Sequence, residues 1–239
     1  MIRFFATFLA APLLLLAGCA TTGRVNDAGV PSDQLPMYVG MDRSAHPDLK
    51  AGDDAFIASA STAFGGKGAA SIAWVNRGFV LYRQDNLAQA MQRFNQAWLL
   101  NPDFPEVYWG FASVLNDKRK FCQAVTMNEL AISKGPIQDG FLPDAAVTYA
   151  SCAAIDPTVE PSKKSDYLRR SEELFVQAYT KDTAPKDYVL RQWASALFRR
   201  GEHALAWLKA QEYRRLTGND LPDRFLKLLR EKMTEPLAQ

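Results

Sequence analysis

Few side chains in this chain are equipped for chemistry, and their spacing says more about what they do not do. Its thiols are Cys19, Cys122 and Cys152, and its only imidazoles are His46 and His203. His46 stands beside Pro47 in a polar stretch, while His203 lies far along the chain in a helical one, so they make no metal-ligand pair. Acid–base chemistry needs a carboxylate or imidazole held against a partner. The adjacent pairs Asp53-Asp54 and Glu172-Glu173 read instead as helix-start and helix-surface charges. Gly65-Gly66-Lys67-Gly68 invites comparison with a phosphate-binding loop, but neither Ser nor Thr follows the Lys and the four-residue spacing between glycines is missing. It reads as a turn between two helices. The chain has no Gly-x-Ser-x-Gly, no Cys-x-x-Cys and no glycine-rich nucleotide fingerprint. The expectation is a protein that is not an enzyme, with no catalytic residue, no metal and no cofactor.

Composition narrows the partners. With 28 basic against 26 acidic residues, the near-neutral balance argues against dedicated nucleic-acid binding. The surviving candidates for function are therefore side chains that bind, and these must be positioned by a scaffold.

That scaffold repeats. Ala90, Ala97 and Pro102 are followed 34 places later by Ala124, Ala131 and Pro136, and Trp74 and Gly78 are answered by Tyr108 and Ala112. A helical pattern with this period means stacked helix pairs, none of which can bury its apolar face alone. Small residues at Gly78, Ala112, Ala146 and Ala194, and at Ala90, Ala124, Ser171 and Ala206, let the two helices of a pair lie close. Trp74, Tyr108, Leu142 and Leu190 fill the space between pairs, Phe94 and Phe175 close the other side, and Pro102 and Pro136 stop the second helices.

The spacing Trp74, Gly78, Ala90, Phe94, Ala97, Pro102 resembles a tetratricopeptide repeat, departing in Arg77 and in the late aromatic at Tyr82. The second repeat carries Asn128 where an aromatic is usual, and the third holds a Pro- and charge-rich insertion at 155–166 in its internal turn. The resemblance covers roughly residues 71–217. It implies an all-α tetratricopeptide-type helix-turn-helix solenoid with repeats at about 71–104, 105–138, 139–185 and 186–219. A degenerate helix beginning near Asp53 should cap the front. An amphipathic helix at about 222–233, with Phe225, Leu228 and Leu229 on one face, should cap the end, and the residues after it should fray.

Ahead of the repeats, Met1-Ile2-Arg3 and a run of about 14 mostly apolar residues, Phe4 to Ala17, read as a secretory signal, too short to span a bilayer. Leu16-Ala17-Gly18-Cys19 resembles the lipobox of bacterial lipoproteins. The resemblance implies a signal peptide at 1–18, acylation of Cys19, and a lipid-anchored (palmitate-bearing) protein. With Ala20 after the Cys, it implies the periplasmic face of the outer membrane. Residues 19–50 read as a flexible tether and 51–239 as the folded array.

In the resembled family the first helix of each pair lines a concave groove for a protein or peptide. By this register the groove residues are Asn76, Phe79, Arg83, Trp109, Asn116, Arg191 and Phe198, with Ser113, Asp144, Val147, Ser195 and Arg199 among them. Aromatics interleaved with Asn and Arg suit an interface. For Phe79 and Trp109 packing between repeats is the competing role. The expected function is a lipid-anchored periplasmic scaffold in assembly of an envelope complex, a pilus or a secretion channel; the alternative is an adaptor for cell-wall hydrolases or synthases.

Cys122 falls near the start of one helix and Cys152 near the end of the next, and consecutive helices of such an array run antiparallel. In an oxidising compartment this predicts a disulfide with Cα atoms about 4.4 to 6.8 Å apart. Two buried, unpaired thiols are the other possibility.

Overall fold

The computed structural model describes residues 29–180 and 185–237; the apolar leader and Cys19 lie outside them. Every described element is a helix. In chain order these are α1 (Pro47–Phe64), α2 (Lys67–Arg83), α3 (Leu87–Leu100), α4 (Pro105–Asp117) and α5 (Phe121–Lys134), then α6 (Phe141–Ile155), α7 (Lys164–Thr180), α8 (Lys186–Arg199), α9 (His203–Thr217) and α10 (Asp223–Lys232), with short 3-10 turns before α1 and α7. Helices pack most extensively as the neighbouring pairs α2–α3, α4–α5, α6–α7 and α8–α9, and each pair also touches the next. This is the arrangement of a helical solenoid. Among the described residues no helix is long and apolar enough to cross a membrane.

Local sequence explains where the helices begin and end. Asn86 caps α3 by accepting from the Gln89 amide, Pro105 opens α4, and Gly65 and Gly218 close α1 and α9 in the left-handed conformation. The tight turns inside three pairs repeat one backbone device. Asp85, Arg119 and Gly201 occupy corresponding places and have φ of 60°, 59° and 79°. Only at the third is that angle free of steric cost.

The small residues of the repeat pattern are all buried. Ala90, Ala124, Ala146, Ala194, Ala206 and Ser171 are 0 % exposed. Ser171 adds a polar tie, donating from Oγ to the Ala146 carbonyl at 2.8 Å across the α6–α7 contact. The first layer is built around Phe94. A Cβ on Gly78 would lie 2.5 Å from its ring and one on Gly110 only 2.4 Å, so the ring lies in a slot between α2 and α4 that only glycine leaves open. At the centre of the array α6 buries eleven of its fifteen residues, because α4, α5, α7 and α8 all pack on it.

Cys122 and Cys152 are joined by a disulfide, with Cα atoms 4.8 Å apart. It ties the start of α5 to the end of α6. Asp156, just beyond α6, reinforces the tie by accepting from the Cys122 amide at 3.0 Å, placing a carboxylate at the α5 N-terminus, and it also accepts from Thr158. Burial pushes this carboxyl up, but the bonds from Thr158 and the Cys122 amide outweigh that and hold it below the usual carboxylate range.

Four details differ from the expectations above. Residues 31–46 are not a free tether: Asn95 on α3 donates from Nδ2 to the carbonyls of Asp33 and Leu35, Tyr38 is 5 % exposed, and Arg43 makes a two-pronged ion pair with Asp53. The front helix starts at Pro47 rather than near Asp53, so Asp53 sits in its second turn, where it can meet Arg43. In α10 the buried face is Leu226 and Leu229, and Leu228 is 42 % exposed. The residues after α10 fold back on α9 instead of fraying: Trp207 Nε1 donates to the Met233 carbonyl, Gln211 to that of Pro236, and Arg214 pairs with Glu235.

Candidate functional site

The first helices of successive pairs also lie side by side, α2 against α4, α4 against α6 and α6 against α8. A pocket of about 270 Å³ crosses this shared face. Its walls come from Tyr82 on α2, from Trp109, Ala112, Ser113, Asn116 and Asp117 on α4, from Asp144, Val147 and Thr148 on α6, and from Tyr188, Gln192 and Arg199 on α8. Asn128 of α5 reaches it from below.

Asp144 ties three of the four helices together. Its carboxylate accepts from Trp109 Nε1 at 3.2 Å, from Gln192 Nε2 at 3.2 Å and from the Tyr188 hydroxyl. Burial raises its pKa above the ordinary aspartate range, more than these three donors lower it, and the nearby Asp117 charge raises it further. Burial, and then the Asp144 charge, push the Tyr188 hydroxyl up, so it stays a donor. Arg199 extends over α6 to give one hydrogen bond to Ser151 Oγ at 2.8 Å, and burial lowers its pKa. A guanidinium has five donors, so most of those on Arg199 have no acceptor among the described residues.

A carboxyl with a raised pKa stabilises the fold below its unfolded pKa, and that contribution is lost as pH rises through the folded value. Asp156, with its lowered pKa, works in the opposite sense, so the comparison must be between variants. Asp144→Asn keeps an acceptor for Tyr188 and Gln192 and removes the charge. Its unfolding free energy should gain on that of the parent steadily as pH rises from the ordinary aspartate range. Urea titrations between pH 4 and 8 check this; a difference that is flat or shrinks with pH would contradict the buried charge.

Of the groove residues expected from sequence, Trp109, Ser113, Asn116, Asp144, Val147 and Arg199 come together in the pocket. Trp109 also packs on Phe79 and Phe141, with ring centroids 5.0 and 6.0 Å away, and so carries structure as well as surface. Phe79 lies behind it, against Phe94. Asn76, Arg83 and Arg191 are exposed on first helices outside the pocket lining, Arg191 with its guanidinium 5.2 Å from the Tyr188 ring. Phe198 is outside the pocket lining, with its ring against Phe225 of α10 at 5.7 Å and His203 at 5.5 Å. Tyr82, Tyr188, Gln192, Thr148 and Asn128 belong to the pocket without having been expected there. For Tyr188 and Gln192 the one available signal is their spacing of four on α8, which puts both on one face.

A larger cavity, about 670 Å³, lies at the front between residues 32–56 and α3. Two of its charges, Arg43 and Asp53, answer each other at 2.6 Å. Among the described residues no group of His, Cys, Asp and Glu could hold a metal ion. Comparison with protein-family models, with curated proteins and with solved structures finds no match to this chain.

Proposed function

We propose that this protein is a lipid-anchored binding module of the tetratricopeptide type, which holds a protein or peptide segment along the face shared by α2, α4, α6 and α8. The observation that carries the reading is the pocket itself, where Trp109 and Asn116 of α4 and Tyr188, Gln192 and Arg199 of α8 present aromatic faces and hydrogen-bonding groups together. An extended chain laid across successive helices would meet each of these in turn. Disulfide, cap helix and docked N-terminal segment make the array rigid, which lowers the entropic cost of binding. The anchor rests on Leu16-Ala17-Gly18-Cys19, and with it the envelope setting, in which the module assembles a pilus or secretion channel.

The test places a photo-crosslinking residue at Asn116, in the pocket, or at exposed Thr126 on α5, in cells labelled with a fatty-acid analogue. Adducts to one defined protein from position 116 and not 126, together with label that disappears in Cys19→Ser, are the expected result. A channel subunit in the adduct supports assembly, and a cell-wall enzyme the adaptor role. Equal adducts from both faces would refute the groove, and label retained in Cys19→Ser would refute the anchor.

A further inference from the structure

The pocket has a structural origin that points to what fills it. In the first layer Gly78, Phe94 and Gly110 form a slot and the ring that fills it. The residues 34 places on from each are Ala112, Asn128 and Asp144, and all three line the pocket. Where the first layer has a phenyl ring, the second has a shorter carboxamide, with space above it open to the binding face. Asn128 is 1 % exposed, and among the described residues no group bonds to either its Oδ1 or its Nδ2. A buried carboxamide with both atoms unpaired destabilises a fold unless something else satisfies it.

We propose that this pocket is a subsite for the side-chain carboxamide of a glutamine or asparagine carried by the bound peptide. The chemistry follows from the edge that Asn128 presents, one acceptor beside one donor. A carboxylate brings acceptors only and would oppose Oδ1. An ammonium or guanidinium brings donors only and would oppose Nδ2. A primary carboxamide matches both atoms at once, in a flat group that fits where a ring would otherwise lie. At about 270 Å³ the space falls just below the usual range for pockets that enclose whole drug-sized ligands, and so suits one inserted side chain. Asn116 and Arg199 offer further donors to the adjoining peptide carbonyls.

This inference rests on the groove reading above, and the experiment separates the two. The full chain, ¹⁵N-labelled in detergent, is titrated with N-acetylglutamine methylamide, N-acetylglutamate methylamide or N-acetylphenylalanine methylamide, following the Asn128 side-chain NH₂ signals by NMR. Those signals are assigned by their loss in Asn128→Leu and Asn128→Ser. The glutamine compound should shift them saturably in the millimolar range, with binding at least tenfold weaker for the other two. Followed by the indole N–H signal of Trp109, a pocket residue that both variants keep, glutamine binding should weaken at least tenfold in each, and Asn128→Leu should unfold no earlier than the parent, because it removes an unpaired polar group. Equal or tighter binding of the glutamate or phenylalanine compound, or unchanged glutamine binding in the variants, would overturn the carboxamide assignment. No shift with any compound, while position 116 still crosslinks a partner, would overturn this inference and leave the groove standing. Loss of both would remove the groove reading as well.

Discussion

Phe94→Ala should lower the stability of the array by about 3 to 5 kcal/mol, the loss expected when a fully buried phenyl ring is removed from a core that cannot close around the gap. The slot is formed by helix backbones at Gly78 and Gly110, which can close on the gap only if whole helices shift. The reverse change is as informative. Gly110→Ala would put a methyl group 2.4 Å from the ring of Phe94, which has Gly78 behind it and no space to retreat, so a loss of about 1 to 3 kcal/mol is expected from overpacking. Combining Gly110→Ala with Phe94→Leu should cost less than the sum of the two single changes, because the smaller side chain makes room for the methyl. Urea unfolding followed by circular dichroism reads all four variants, Phe94→Leu alone included, and strict additivity would show that the slot does not exist.

The second large effect is at the Cys122–Cys152 bridge. It closes a loop between residues 30 apart, for which the chain-entropy model gives about 3 to 4 kcal/mol. Reduction, or the double replacement by Ala, should lower the unfolding midpoint by roughly 6 to 16 °C in a chain of this size. The Asp156 contact to the Cys122 amide should keep α5 and α6 in register after the covalent tie is gone. Thiol labelling of unfolded, unreduced protein checks the bridge directly: no reactive thiol at 122 or 152 is expected, and two would contradict it.

How much of this was legible in the sequence follows from where the information lies. The 34-residue spacing marked Gly78, Ala90, Phe94, Ala112 and Ala124 correctly, because close helix packing constrains residue size at fixed intervals and size can be read from type. The docking of residues 31–46 could not be read in the same way. Asn95 bonds to the main-chain carbonyls of Asp33 and Leu35, which any residue would supply, across more than 50 intervening residues. Composition marks that stretch as polar and nothing more. Phe198 was assigned to the groove by register alone, since the repeat pattern says nothing of a cap helix whose Phe225 comes to lie on it. The amphipathic pattern of 222–233 put Leu228 on the buried face of α10, where the neighbouring Leu226 is used instead, a shift of part of a turn that a single short amphipathic helix does not resolve. Asp144 was placed in the groove by position, but its bonds to Trp109, Tyr188 and Gln192 depend on α4, α6 and α8 lying side by side, a third-dimensional fact.

The central claim is that one face of the array, and not its outer surface, holds the partner. It is tested most directly by filling the pocket. Ser113→Arg places a long cation among Trp109, Asn116 and Arg199, whereas Thr126→Arg adds the same side chain to the exposed side of α5. With the partner identified by crosslinking and then purified, its affinity for each variant can be measured by calorimetry. At least a tenfold loss for Ser113→Arg, with Thr126→Arg and the parent indistinguishable and all three unfolding within a few degrees, is the expected result; equal affinities for the two variants would contradict a binding groove on this face.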